Sequence, residues 1–88
     1  MSKEEMDPKQ PAPTKPIIEE VFLNEKPDFD AMSTRELVYW IRAVGAQLRK
    51  ARAISAASIF ALMQSEDLVL VAKVLFYVAE GHDIELEV

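Results

Sequence analysis

The chain has 88 residues, enough for one small domain in which a single apolar core is only just sufficient. Half of its residues are hydrophobic and it carries a formal net charge of −5. It contains no cysteine, which excludes a disulfide framework, thiolate chemistry and a cysteine-held metal.

No basic start followed by an apolar run marks a leader, and the most apolar stretch, Leu68 to Ala79, is interrupted by Lys73. That stretch is far shorter than the ~20 residues a bilayer span needs. The expected setting is therefore cytoplasmic, with no membrane partner. The charge is segregated. Residues 1–32 have a net charge of −4, residues 33–52 of +4 and residues 53–88 of −5. Blocks of this kind mark an interaction surface rather than a reaction centre, and the acidic total opposes non-specific nucleic-acid binding.

Residues 1–16 are polar and charged, with Pro8, Pro11, Pro13 and Pro16, and have little to bury. They are expected to form a disordered tail, either a solubilising arm or a docking arm, ahead of a domain over residues 17–88. The run 17–23 (IIEEVFL) suits a short strand or a helical turn equally, because seven apolar residues cannot be typed by period. Residues 24–30 form a connector, with Phe29 as its apolar anchor.

The first helix announces itself twice. Ser33 and Glu36 form an S-x-x-E capping box, and Met32 and Leu37 have the spacing of a hydrophobic staple. Projected at about 100° per residue, Leu37, Trp40, Ile41, Val44, Leu48 and Ala51 share one face. Arg35, Arg42 and Arg49 run down the opposite face with Tyr39 among them. Two readings of that stripe are open: Arg stems stacked over a partly exposed tyrosine, or a partner-binding surface.

The helix is expected to weaken near Arg52–Ile54. Ser55 then caps a short second helix through Met63, whose Ala56, Ala57 and Ala61 suit a close helix neighbour and whose Met63 suits the core. A third start signal, Ser65 with Glu66 and Asp67 in the first turn, opens an almost wholly apolar helix that ends with Gly81 at the C′ position. Residues 82–88 alternate, with Ile84, Leu86 and Val88 on one side and Asp83, Glu85 and Glu87 on the other. That pattern predicts a half-buried strand, which needs residues 17–23 or another chain as its partner.

The expected fold is thus mainly α: a small three-helix domain with a short C-terminal β-strand and a disordered N-terminal tail. Residues 33–88 hold 33 hydrophobic residues out of 56. Ordinary domains carry about 45–50%. So apolar a unit of this size should bury a face against a partner, most simply a second copy of itself.

Catalysis is not expected. The only histidine, His82, lies between Gly81 and Asp83, and no Cys or activated Ser accompanies it. Ser33, Ser55 and Ser65 are used as caps, two glycines cannot make a phosphate loop, and His82, Asp83 and Glu85 lack the spacing of a metal ligand set. No cofactor or metal is implied.

The stretch Lys26 to Ile41 (KPDFDAMSTRELVYWI) resembles a motif of short uncharacterised cyanobacterial proteins, P-[DN]-F-x-x-M-[ST]-x-x-E-L. The matches are Pro27, Asp28, Phe29, Met32, Ser33, Glu36 and Leu37, with an aromatic at Tyr39 or Trp40. This resemblance covers about sixteen residues and implies a small bacterial protein without an assigned active site. A second stretch, Val44 to Met63, is similar to the opening helices of repressor-type helix-turn-helix regulators. A polar recognition helix bearing Arg, Gln or Asn should follow there, yet residues 66–79 begin with two acids and are nearly all apolar.

The function expected from the sequence is a non-enzymatic adaptor or regulator. It would bind another protein, preferably an acidic surface, through Arg35, Tyr39, Arg42 and Arg49, and act as a dimer. The alternative is a divergent DNA-binding or antitoxin-like regulator using the same stripe.

Overall fold

The computed structural model describes residues 21–88, so the expected N-terminal tail and residues 17–20 lie outside the described residues. A 3-10 turn, Phe29–Ala31, precedes three helices: α1 (Thr34–Lys50), α2 (Ala56–Met63) and α3 (Leu68–Gly81).

Helix α1 begins where its caps require. The Ser33 hydroxyl accepts from the Glu36 amide at 3.1 Å, and the Glu36 carboxylate accepts from the Ser33 amide at 2.8 Å. Two of the otherwise unpaired donors of the first turn are satisfied this way. Leu37, Trp40, Ile41, Val44 and Leu48 are buried as projected. Ala51 is not; it is the exposed C-cap, because the helix has already ended at Lys50.

That ending is a Schellman motif. The Ala53 amide donates to the Leu48 carbonyl and the Arg52 amide to the Arg49 carbonyl, with Arg52 held at φ 62°. A second motif of the same kind ends α3: Ile84 donates to Ala79 and Asp83 to Glu80, with Asp83 at φ 56°. The C′ residue is therefore Asp83 and not Gly81, which is the last helical residue. Left-handed backbone strains a long side chain more than an Asp. Arg52→Gly is accordingly expected to raise stability by about 1 kcal/mol, and Asp83→Gly by less. Urea unfolding in dilute solution checks this, and an unchanged midpoint for Arg52→Gly would contradict the strain.

The start of α3 also differs from the sequence reading. Asp67 is itself the N-cap, its carboxylate accepting from the Leu70 amide at 3.1 Å, while the Ser65 hydroxyl accepts from the Asp67 amide. Asp67 directly precedes the helix, so its carboxylate reaches the N3 amide, and Ser65, two residues earlier, only shapes the approach.

The core lies between α1 and α3. Val71, Ala72, Leu75, Phe76 and Ala79 of α3 face the buried residues of α1, and the 3-10 turn inserts Phe29 between them. Phe29 meets Trp40 edge-on, with ring centroids 4.8 Å apart, and reaches Phe76 at 6.3 Å. Phe22 closes the other side of Phe76 at 5.5 Å. Edge-to-face pairs of this kind add about 0.5–1.5 kcal/mol each beyond their burial.

Helix α2 stands apart from this core and buries none of its residues. Ile59 and Leu62 lean against the core, and Ile59 does so over Gly45, where a Cβ would come within 3.2 Å of the isoleucine Cδ1. The alanines at positions 56, 57 and 61 face solvent rather than a neighbouring helix, and Met63 is 38% exposed instead of filling the core. The sequence reading missed this because apolar composition does not say which face finds a partner within the same chain.

The C-terminal strand is not formed, and among the described residues there is no strand at all. Residues 21–23 are neither strand nor helix. The alternation holds in part: Ile84 and Leu86 are half-buried against the core and Asp83, Glu85 and Glu87 are exposed, but Val88, expected on the inward side, is exposed too. Two side-chain carboxamides pair with the backbone that the strand reading assigned to a ladder. Asn24 donates to the Ile84 carbonyl at 2.8 Å and accepts from the Leu86 amide at 2.7 Å, as a residue of a parallel neighbour would. Gln47 donates to the Glu87 carbonyl at 2.7 Å and accepts from its amide at 2.8 Å, in the manner of a bonded antiparallel pair.

Candidate functional site

The four residues singled out by sequence all lie on the outer side of α1, and all are exposed, Tyr39 at 69%. Positions 35, 39, 42, 46 and 49 fall within one narrow arc at helical period, so Ala46 completes the stripe. From Arg35 to Arg49 the stripe is about 21 Å long at 1.5 Å per residue. Among the described residues no ion pair or hydrogen bond engages the guanidinium of Arg35, Arg42 or Arg49, and no cation stacks on Tyr39. The cation–π contacts present lie elsewhere, where Lys26 sits 4.9 Å over the Tyr77 ring and 5.7 Å over Phe22.

The stripe is divided by its surroundings. Arg35 and Tyr39 form one wall of an open groove of about 940 Å³ whose apolar lining includes Met32, Trp40, Leu86 and Val88. Glu25, Asp28 and Glu36 also border this groove, so its charge is mixed. Arg49 instead joins Arg52 beside a shallower depression of about 430 Å³ at the start of α2. Arg42 lines neither. The structure therefore places the four residues on one face without drawing them into one pocket, and the concentrated positive charge is at the Arg42–Arg52 end.

The carboxylate best held by the fold is Glu80, a residue the sequence reading passed over. It accepts from the Leu23 amide at 2.7 Å, the Asn24 amide at 2.9 Å and the Asn24 side chain at 2.7 Å. Burial alone would push its carboxyl up, but these three donors outweigh it and hold the group below its ordinary value. Asn24 and Glu80 form a latch joining the segment before α1 to α3 and the end of the chain, and Gln47 ties that end to α1. The bonded pairs are 40 to 62 positions apart, and no local pattern announces such pairs.

His82 is the C-cap of α3 and is exposed, contributing its backbone amide to the helix end. Among the described residues no group of three or more His, Asp or Glu side chains is placed to hold a metal ion, and no helix is long and apolar enough to cross a membrane. No protein-family model, no curated protein and no solved structure matches this chain.

Proposed function

We propose that this protein is a non-enzymatic binding module that docks an acidic segment of another protein along the outer stripe of α1. The observation carrying this reading is the row of three exposed guanidiniums without partners among the described residues, interleaved with an exposed tyrosine. Arginine offers bidentate hydrogen bonds to carboxylates, and tyrosine adds contact area at small entropic loss. Arg42 and Arg49 carry most of the attraction, because the acids bordering the groove offset Arg35. A DNA-reading role is the weaker alternative, since α3, where a recognition helix would follow, gives its side chains to the core.

Fluorescence anisotropy distinguishes the two. A labelled Glu/Asp-rich helical peptide is expected to bind, and Arg42→Ala with Arg49→Ala to weaken it by about tenfold, in keeping with two charge-assisted contacts. A duplex oligonucleotide bound more tightly than the peptide, with steep salt dependence, would establish the DNA reading instead. Binding of neither overturns both.

A further inference from the structure

The strongest feature outside the α1 stripe is α2, whose charged border shares Arg49 with that stripe but whose apolar face is separate from it. All eight of its residues, AASIFALM, lack charge, yet none is buried. Ile59 and Leu62 turn toward the core, which leaves Ala57, Phe60 and Ala61 on the outer side, Phe60 at 69% exposure. Two small residues flanking one large aromatic suit the close approach of another helix, and no element among the described residues supplies one.

The charges around α2 say what that helix should look like. Its N-terminal end is bordered by Arg49, Lys50 and Arg52, and Glu66 and Asp67 follow its C-terminal end. These charges suit the end of α1 and the cap of α3, but for α2 the order is the reverse of what a helix dipole favours, because its positive end meets cations and its negative end meets acids. A helix of the same kind laid antiparallel corrects both ends at once. It brings its acids and negative dipole end to Arg49 and Arg52, and its own cations to Glu66 and Asp67. The element with that charge order is α2 itself.

We infer that this protein forms a twofold dimer in which α2 packs antiparallel against α2 of a second copy, Phe60 lying at the centre and the Arg49–Arg52 end of each chain against the Glu66 end of the other. An isologous contact of this kind is self-complementary and closes at two subunits. An aromatic side chain carries about 150–250 Å² of surface, so Phe60 supplies the largest single patch. A helix of eight residues is about 12 Å long. The interface is therefore at the small end of the range for specific complexes, and the dimer is a weak, concentration-dependent one.

Sedimentation equilibrium over a wide concentration range tests this. The native chain is expected to approach twice its monomer mass with a micromolar dissociation constant. Phe60→Glu, with Phe60→Ser as the milder second variant, should weaken association by about thirtyfold or more, as expected of a central aromatic, while leaving the helical circular dichroism unchanged. The charge order has its own signature. Arg49→Glu with Arg52→Glu weakens the dimer, Glu66→Arg weakens it separately, and mixing the two altered chains restores association as a heterodimer, because both ends of the pair are then matched. A chain that stays monomeric at millimolar concentration overturns the proposal, as does a dimer unaffected by either change at Phe60. Loss with the Phe60 variants but no recovery on mixing the charge variants overturns the antiparallel arrangement.

Discussion

Replacing Phe76 with Ala is expected to lower the unfolding free energy by about 3–5 kcal/mol, the range for emptying a large aromatic from a closed core. Phe76 is fully buried and touches the rings of Phe22, Phe29 and Tyr77, so three edge contacts lose their common partner. Small domains hold roughly 0.05–0.15 kcal/mol of stability per residue. A loss of this size is a large share of the roughly 3–10 kcal/mol this implies for residues 21–88. Urea unfolding followed by circular dichroism measures it. A loss below about 1 kcal/mol would mean that the surrounding rings collapse into the space, contrary to the packing described.

The second large effect concerns the latch. In Asn24→Asp the donor that served Glu80 and the Ile84 carbonyl becomes a carboxylate facing both. The Ile84 carbonyl loses its partner, and the expected loss at neutral pH is about 2 kcal/mol. The Leu86 amide keeps an acceptor at position 24, so faster exchange of the Leu86 and Glu87 amides would report opening of the segment as a whole.

The pH dependence separates the native chain from the variant. In the native protein the carboxyl of Glu80 has a lowered pKa. The stabilisation it provides is complete above the ordinary Glu range and is lost as pH falls through the folded value. In the variant two carboxyls share the site, and one is raised rather than lowered, so its protonation on acidification relieves the repulsion. The stability difference between the two proteins is expected to be largest near neutrality and to shrink as the pH falls. A difference independent of pH would show that the introduced carboxylate and Glu80 do not face each other.

The parts of the fold legible in the sequence are those governed by neighbours within one or two turns. The capping box at Ser33, the cap at Ser55 and the core face of α1 as far as Leu48 follow from spacing alone, and Phe29 reads as an anchor because it is the one large apolar side chain of its connector. The start of α3 was legible only to within two residues, since Ser65 and Asp67 are both good caps and geometry chooses the second. The C-terminal segment shows the limit of this reading. Its alternation correctly marks Ile84 and Leu86 as inward, but period 2 reports only the pleat, and backbone partners can be side-chain amides as well as strands. The Asn24 and Gln47 amides are indistinguishable in sequence from any other surface amide. For the candidate site, the Arg35–Arg49 stripe and its exposure were legible in the helical projection. Its division between a mixed-charge groove and the basic end at Arg52 was not, because Glu25, Asp28 and Val88 approach α1 only through the tertiary fold.

The near-independence of α2 from the core has a consequence for how such a chain changes over generations. A substitution at Ala57, Phe60 or Ala61 leaves the α1–α3 core intact, because none of these residues is buried there. Folding therefore does not constrain their identity. The outer positions of α2 can vary in sequence while Ile59 and Leu62 keep the helix against the two-helix scaffold, so that face can change without passing through an unfolded intermediate sequence. A saturation library over residues 57, 60 and 61 is expected to return fewer misfolded variants than a similar library over residues 71–79.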